Sequence, residues 1–155
     1  MKKLRKLLRL NPTERWTLAQ AMILLPLTAL ALRLTGLRRT QRIFSSFITS
    51  VSVWKRERSE ANLTQAHRIS HLVSLAVNHG VYQANCLQRS LVLWWLLRSR
   101  GIESELHFGT RKNAGRFEAH AWVEIDDIVL NDSSDVRQRY QPFDRAINLV
   151  NAESR

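Results

Sequence analysis

A single cysteine among 155 residues excludes an internal disulfide and any cysteine-rich zinc site, which leaves the chemistry of a free thiol or thiolate. A reducing cytoplasm suits such a chain. Acidic residues are also scarce, 13 Asp+Glu against 24 Lys+Arg, and the formal charge of +11 favours an acidic peptide, an anionic membrane surface or nucleic acid as partner. The excess gathers in residues 1–9 and at Arg33, Arg38, Arg39 and Arg42, beside an apolar stretch. No basic, aromatic-studded groove accompanies it, which counts against nucleic acid. Long hydrophobic runs are lacking too: residues 18–32 are apolar for only about ten to fifteen positions, with Pro26 inside and Arg33 at the end, whereas a spanning helix needs roughly twenty. That predicts a buried or interfacial helix and makes membrane association the less favoured partner. The basic N-terminal segment has the charge of a signal peptide, but no small-residue cleavage site precedes the next arginines, so it reads as mature sequence. Internal repeats and low-complexity tracts are absent.

What is there fits one domain over residues 1–155, with a helical region at 1–80 and, at 81–145, a cysteine-bearing helix plus a small sheet. Asn11-Pro12-Thr13-Glu14 starts a long helix: Asn11 can cap, Pro12 suits the first helical position, and Glu14 can complete a capping box. A second helix is predicted over 40–54 and a charged connection over 55–60. Ala66, Ile69, Leu72, Val73 and Ala76 mark a third, stopped by His79-Gly80. Asn85 can cap a fourth helix from Cys86 to Arg98, ended by Gly101 as a C′ residue.

After Gly101 the period falls from 3.6 to 2. Ile102, Ser104, Leu106 and Phe108 alternate with Glu103, Glu105 and His107, as in a half-buried strand, and residues 117–125 do likewise. Asp126-Asp127 suggests a turn, with a return strand over 128–131. Helices followed by an antiparallel sheet make an α+β arrangement.

Three residues stand out chemically. Cys86 is placed at a helix start, where oriented N–H groups and the positive dipole end stabilise a thiolate. His120 shares one strand face with Trp122, where an imidazole could serve the thiol as base. His67 and His71 are four apart on one helix face, yet no third ligand lies near them in sequence, so neither a metal nor a cofactor is called for. A base of this kind needs a group to hold its ring, and Asp132 at the end of the return strand is the first candidate, with Asp135 the alternative. For Asp132 to lie opposite His120 on paired strands, Glu124 must face Ile128, which predicts a three-residue loop or a bulge. A regular two-residue hairpin would put the two residues on opposite faces and pass the role to Asp135 or to no carboxylate.

The stretch Asn85-Cys86-Leu87-Gln88-Arg89-Ser90-Leu91, the following Leu96-Leu97-Arg98 and Gly101-Ile102, and His120-Ala121-Trp122-Val123-Glu124 with Asn131-Asp132 resemble the lasso-peptide biosynthesis B2 proteins. These are leader peptidases of the transglutaminase-like superfamily, with a papain-like core. The resemblance is dense over residues 83–143. It implies a Cys86-His120-Asp132 triad that works through a thioester and cuts the precursor peptide at the leader–core junction, freeing the core's N-terminal amine for a separate ATP-dependent lasso cyclase. The Cys86 backbone N–H could supply one oxyanion donor and Tyr82 or Gln83 another. The elements already assigned use nearly the whole chain, so the winged-helix leader-binding domain (the RiPP recognition element) is expected on a separate protein. Two other readings stay open: acyl transfer to an amine by the same triad, and a basic membrane- or nucleic-acid-associated module in which Cys86 and His120 are structural.

Overall fold

The computed structural model describes residues 10–49, 60–80 and 82–143, without the side chains of 37, 38 and 40–49. Its elements, in chain order, are α1 (Pro12–Thr49), α2 (Glu60–His79), α3 (Cys86–Arg98), β1 (Glu105–Asn113), β2 (Arg116–Ile125), β3 (Ile128–Val129), α4 (Val136–Arg139) and β4 (Gln141–Pro142). The four strands form one antiparallel sheet in the order β3-β2-β1-β4.

Helix α1 starts as its sequence dictates: Glu14 reaches back to accept the Asn11 N–H at 2.9 Å. The expected second helix is present: Gly36, whose φ of 72° a side chain would strain, breaks α1 into two helical stretches, and the second of them runs on to Thr49. The expected end at Trp54 and most of the 55–60 connection lie outside the described residues. The stretch before the break is also longer than its apolar core suggested. Pro12–Gly36 is long and apolar enough, by length and composition, to cross a membrane.

Helix α2 buries Ala66, Ile69, Leu72, Val73 and Ala76, and begins a turn and a half earlier than its apolar pattern does. Helix α3 lies between the other helices and the sheet, packing on α1, α2 and β2. Its Leu91, Val92, Leu93, Leu96 and Leu97 are fully buried. A helix buried nearly all round must be apolar nearly all round, which explains its run of large hydrophobic residues. Each such side chain contributes about 1.5–3 kcal/mol on burial. The helix ends in a Schellman motif: the Ile102 N–H donates to the Leu97 carbonyl and the Gly101 N–H to that of Arg98, with Gly101 at φ 73°.

Strands β1 and β2 pair from Glu105 opposite Glu124 to Asn113 opposite Arg116. The connection from β2 to β3 corrects the expected loop. Ile125 faces Ile128 across a two-residue turn in which Asp126 and Asp127 both have positive φ, 48° and 66°. Neither a three-residue loop nor a bulge is present there. β3 then stops after Val129. The Leu130 N–H still bonds to the Val123 carbonyl at 3.0 Å. The return bond is not made: Asn131 Oδ1 takes the Val123 N–H at 2.8 Å, and the Leu130 carbonyl accepts from Ser70 Oγ on α2 at 2.7 Å. Two side chains thus end the ladder and let the chain leave the pleat before Asp132.

Candidate active site

Cys86 is the first residue of α3 and is partly buried. Its position follows from a capping box in which Asn85 Oδ1 accepts the Gln88 N–H and Gln88 Oε1 accepts the Asn85 N–H, both at 3.0 Å. Tyr82 Oη donates to the same Gln88 oxygen at 3.1 Å, which commits its hydroxyl to the cap. Gln83 is exposed just before it.

One turn along α3, on the face that carries Cys86, Ser90 is fully buried and donates to the Ala121 carbonyl at 2.9 Å. Ala121 follows His120. Asn131 Nδ2 donates to Ser90 Oγ at 2.8 Å, so one hydroxyl joins the cysteine helix, the histidine strand and the segment that leads to Asp132. Helix α3 is thereby seated with its cysteine end toward the His120 part of β2.

His120 Nε2 lies 2.5 Å from Asp132 Oδ2. A carboxylate only accepts, so Nε2 carries the proton and Nδ1 is left as the ring nitrogen open to a thiol. The expected loop geometry is wrong, yet Asp132 reaches His120, because the parity of a pleat holds only while the ladder lasts. Asp135 is turned elsewhere: it accepts from Ser133 Oγ and lies 3.2 Å from Arg139 Nε. The other oxygen of Asp132 accepts the Ser133 N–H at 2.7 Å and Arg139 at 2.5 Å. Partial burial pushes this carboxyl upward, but the bonds from Ser133, His120 and Arg139 outweigh it and hold it below the usual carboxylate range.

Aromatic rings fix the imidazole from its sides. The Tyr140 ring is stacked at 4.7 Å between centroids and Trp122 at 6.1 Å. Trp122 is itself fully buried, and its indole N–H donates at 2.5 Å to Glu124, a carboxylate only 1% exposed. Arg137 binds both oxygens of Glu124, and His107 Nε2 stands 3.4 Å away, its ring also stacked with Trp122 at 5.8 Å. The single turn of α4 therefore delivers two arginines to two carboxylates: Arg137 behind Trp122 and Arg139 behind His120.

Sequence reading missed Ser90, Asn131, Arg137, Arg139 and Tyr140 as parts of the site and took Glu124 only as a motif letter. A signal existed for two of them. Ser90 interrupts an apolar helix four residues after Cys86, and Glu124 shares the alternating face of His120 and Trp122, where a carboxylate needs a cation. Nothing local marks the arginines.

A cysteine-headed helix seated on an antiparallel sheet that carries a histidine–aspartate pair defines the class as a transglutaminase-like α+β fold. A family model, the transglutaminase-like superfamily, matches residues 28–145, and the chain belongs to that superfamily. Over 88 residues it is 30% identical to the microcin J25-processing protein McjB of Escherichia coli, a match that covers 55% of this chain and 41% of McjB. The chain thus matches less than half the length of that relative. No solved structure matches it.

Proposed function

We propose that this chain is a cysteine peptidase that removes the leader from a ribosomally made, lasso-type precursor peptide. The observation that carries the reading is the 2.5 Å contact of His120 with Asp132 on the strand against which the Cys86 helix is seated. Family membership and the likeness to a microcin-processing protein support the substrate class.

With Nε2–H held by Asp132, His120 Nδ1 takes the thiol proton, and Cys86 Sγ attacks the carbonyl carbon at the leader–core junction. The tetrahedral oxyanion meets the Cys86 backbone N–H and a second donor from Tyr82 or Gln83; with the Tyr82 hydroxyl bound to Gln88, its part falls to the main chain. Collapse breaks the C–N bond, His120 returns the proton to the departing amine, and the core leaves with a free N-terminus. The leader stays as a thioester on Cys86. Water, deprotonated by His120, then attacks that thioester, releasing the leader carboxylate and the thiol. The free core amine is the group that a separate ATP-dependent cyclase requires. Leader recognition is assigned to a separate leader-binding protein, the RiPP recognition element, and the free thiol suits a cytoplasmic setting.

The test is incubation of the purified protein with precursor and leader-binding protein, with and without a primary amine, followed by mass measurement of the products. Leader ending in a free carboxylate, with or without amine, is the expected result. A leader–amine adduct as main product would replace hydrolysis by acyl transfer, and unchanged precursor would remove the reading.

A further inference from the structure

Helix α1 is apolar in a way the core does not use. Its Leu18, Ala21, Leu25 and Ala29 are buried against the rest of the protein. On the other side, every exposed residue between Arg15 and Arg33 is apolar: Trp16, Met22, Ile23, Pro26, Leu27 and Leu30. Leu27 and Leu30 are each 53% exposed, Ile23 61% and Trp16 66%. A polar face, which a surface helix normally turns to water, is missing here. Gln20, at the edge of this face, is half-buried, and its amide oxygen accepts from Arg100 at 2.9 Å.

Charge says what covers the face. Glu14 is the only acidic residue before Glu57, while Arg33, Arg38, Arg39 and Arg42 follow the apolar stretch and Lys and Arg crowd residues 1–9. Arg15 and Arg33 are 18 residues apart, five full turns, so they stand on one line of the helix at either end of the apolar face. Protein interfaces carry about one hydrogen bond per 100–200 Å², and among the exposed residues between its arginines this face offers only the Trp16 indole N–H. A lipid surface asks for none, and anionic headgroups would meet the cations at both ends.

We propose that the exposed face of α1 docks in the plane of an anionic membrane surface, with Ile23, Leu27 and Leu30 in the acyl boundary and Trp16 and Arg33 at headgroup level. The helix does not cross, because crossing would draw Leu18, Ala21, Leu25 and Ala29 out of the core. Docking is independent of catalysis, so a Cys86→Ala protein docks as the native one does.

Co-sedimentation of the full chain with phosphatidylcholine vesicles, with and without phosphatidylglycerol, tests this. Binding to the anionic vesicles is expected, at least about tenfold weaker in a Leu27→Glu/Leu30→Glu double variant, which loses two apolar contacts at exposed sites. Unchanged helix content by circular dichroism shows that this variant is folded. Arg33→Gln/Arg39→Gln should weaken anionic binding by about fivefold per charge and leave neutral vesicles unaffected. Absence of pelleting, or equal pelleting by the double leucine variant, overturns the proposal. So does self-association, or binding to the leader-binding protein, that the same leucine variant abolishes, since either would identify a protein as the occupant.

Discussion

The two sides of α3 treat polarity in opposite ways. On the sheet side, the polar groups around the candidate site share their partners: Ser90, Asn131, Glu124 and Asp132 each hold two or more. On the helical side, α1 between Arg15 and Arg33 carries only Thr17, Gln20 and Thr28 as polar side chains, beside the Trp16 indole N–H, and leaves an apolar face uncovered. A network of satisfied polar groups fixes geometry to a fraction of an ångström, which catalysis requires, whereas an apolar face fixes only contact, which adhesion requires. Chemistry is therefore expected to be sensitive on the sheet side and indifferent on the other.

The sharpest way to break that contrast is at Asp132. Asp132→Asn keeps the shape but cannot impose Nε2–H on His120, and a loss of about 10³- to 10⁴-fold in kcat is expected in the leader-release assay. Stability should follow the carboxyl's direction of shift. Its folded pKa is held below the ordinary value of 3.8, so its stabilising effect is complete above that value and is lost as the pH falls through the lowered one. Denaturant melts of native and Asp132→Asn protein should thus differ at neutral pH and converge as the pH drops below about 4.

Next comes the buried carboxylate. Glu124→Ala leaves the Trp122 indole N–H without its acceptor and Arg137 with only Asp127, and should cost about 3 kcal/mol of unfolding free energy. Glu124→Gln, which still accepts from the indole, should lose less. Arg139→Gln is milder in stability but leaves the second Asp132 oxygen to Ser133 alone, and about a tenfold fall in kcat is expected, partly restored by Arg139→Lys. Because Arg139 acts through Asp132, its effect should vanish in an Asp132→Asn background.

These same residues show what was legible in the sequence. Helix α3 was, since Asn85 as a cap and Gly101 as a C′ residue bound it within one element. Strands β1 and β2 were too, through their period of two. The segment after Val129 was not. Its path depends on Asn131 and Ser70 replacing main-chain bonds, and Ser70 lies 60 residues away in sequence. The pleat rule was applied beyond the end of the ladder, which gave the wrong loop together with the residue that does contact His120. Arg137 and Arg139 stayed invisible because a four-residue helix has no periodicity to read. The reach of α1 was underestimated by counting only the apolar run of residues 18–32, although Asn11 and Pro12 already marked an earlier helix start and Gly36 ends the stretch.

The smallest expected effects come from the other side of α3 and from assistance in trans. Addition of the leader-binding protein should raise cleavage of full precursor about tenfold, about 1.4 kcal/mol, and the gain should shrink as salt screens the contact. Leu27→Glu/Leu30→Glu should leave cleavage of soluble precursor within about twofold, because neither residue touches the polar network; surface substitutions away from such features stay within about 0.5 kcal/mol. A large loss there, in a folded variant, would erase the contrast between the two sides.

Cys86 remains the point on which the proposed chemistry turns. Leader release from precursor, followed by mass spectrometry for native and Cys86→Ser protein in the presence of the leader-binding protein, tests it most directly. A loss of at least about 10⁴-fold is expected, since an oxygen nucleophile at this position would lack the thiolate's reactivity. Cleavage by Cys86→Ser within about tenfold of the native rate would contradict the assignment of Cys86 as nucleophile.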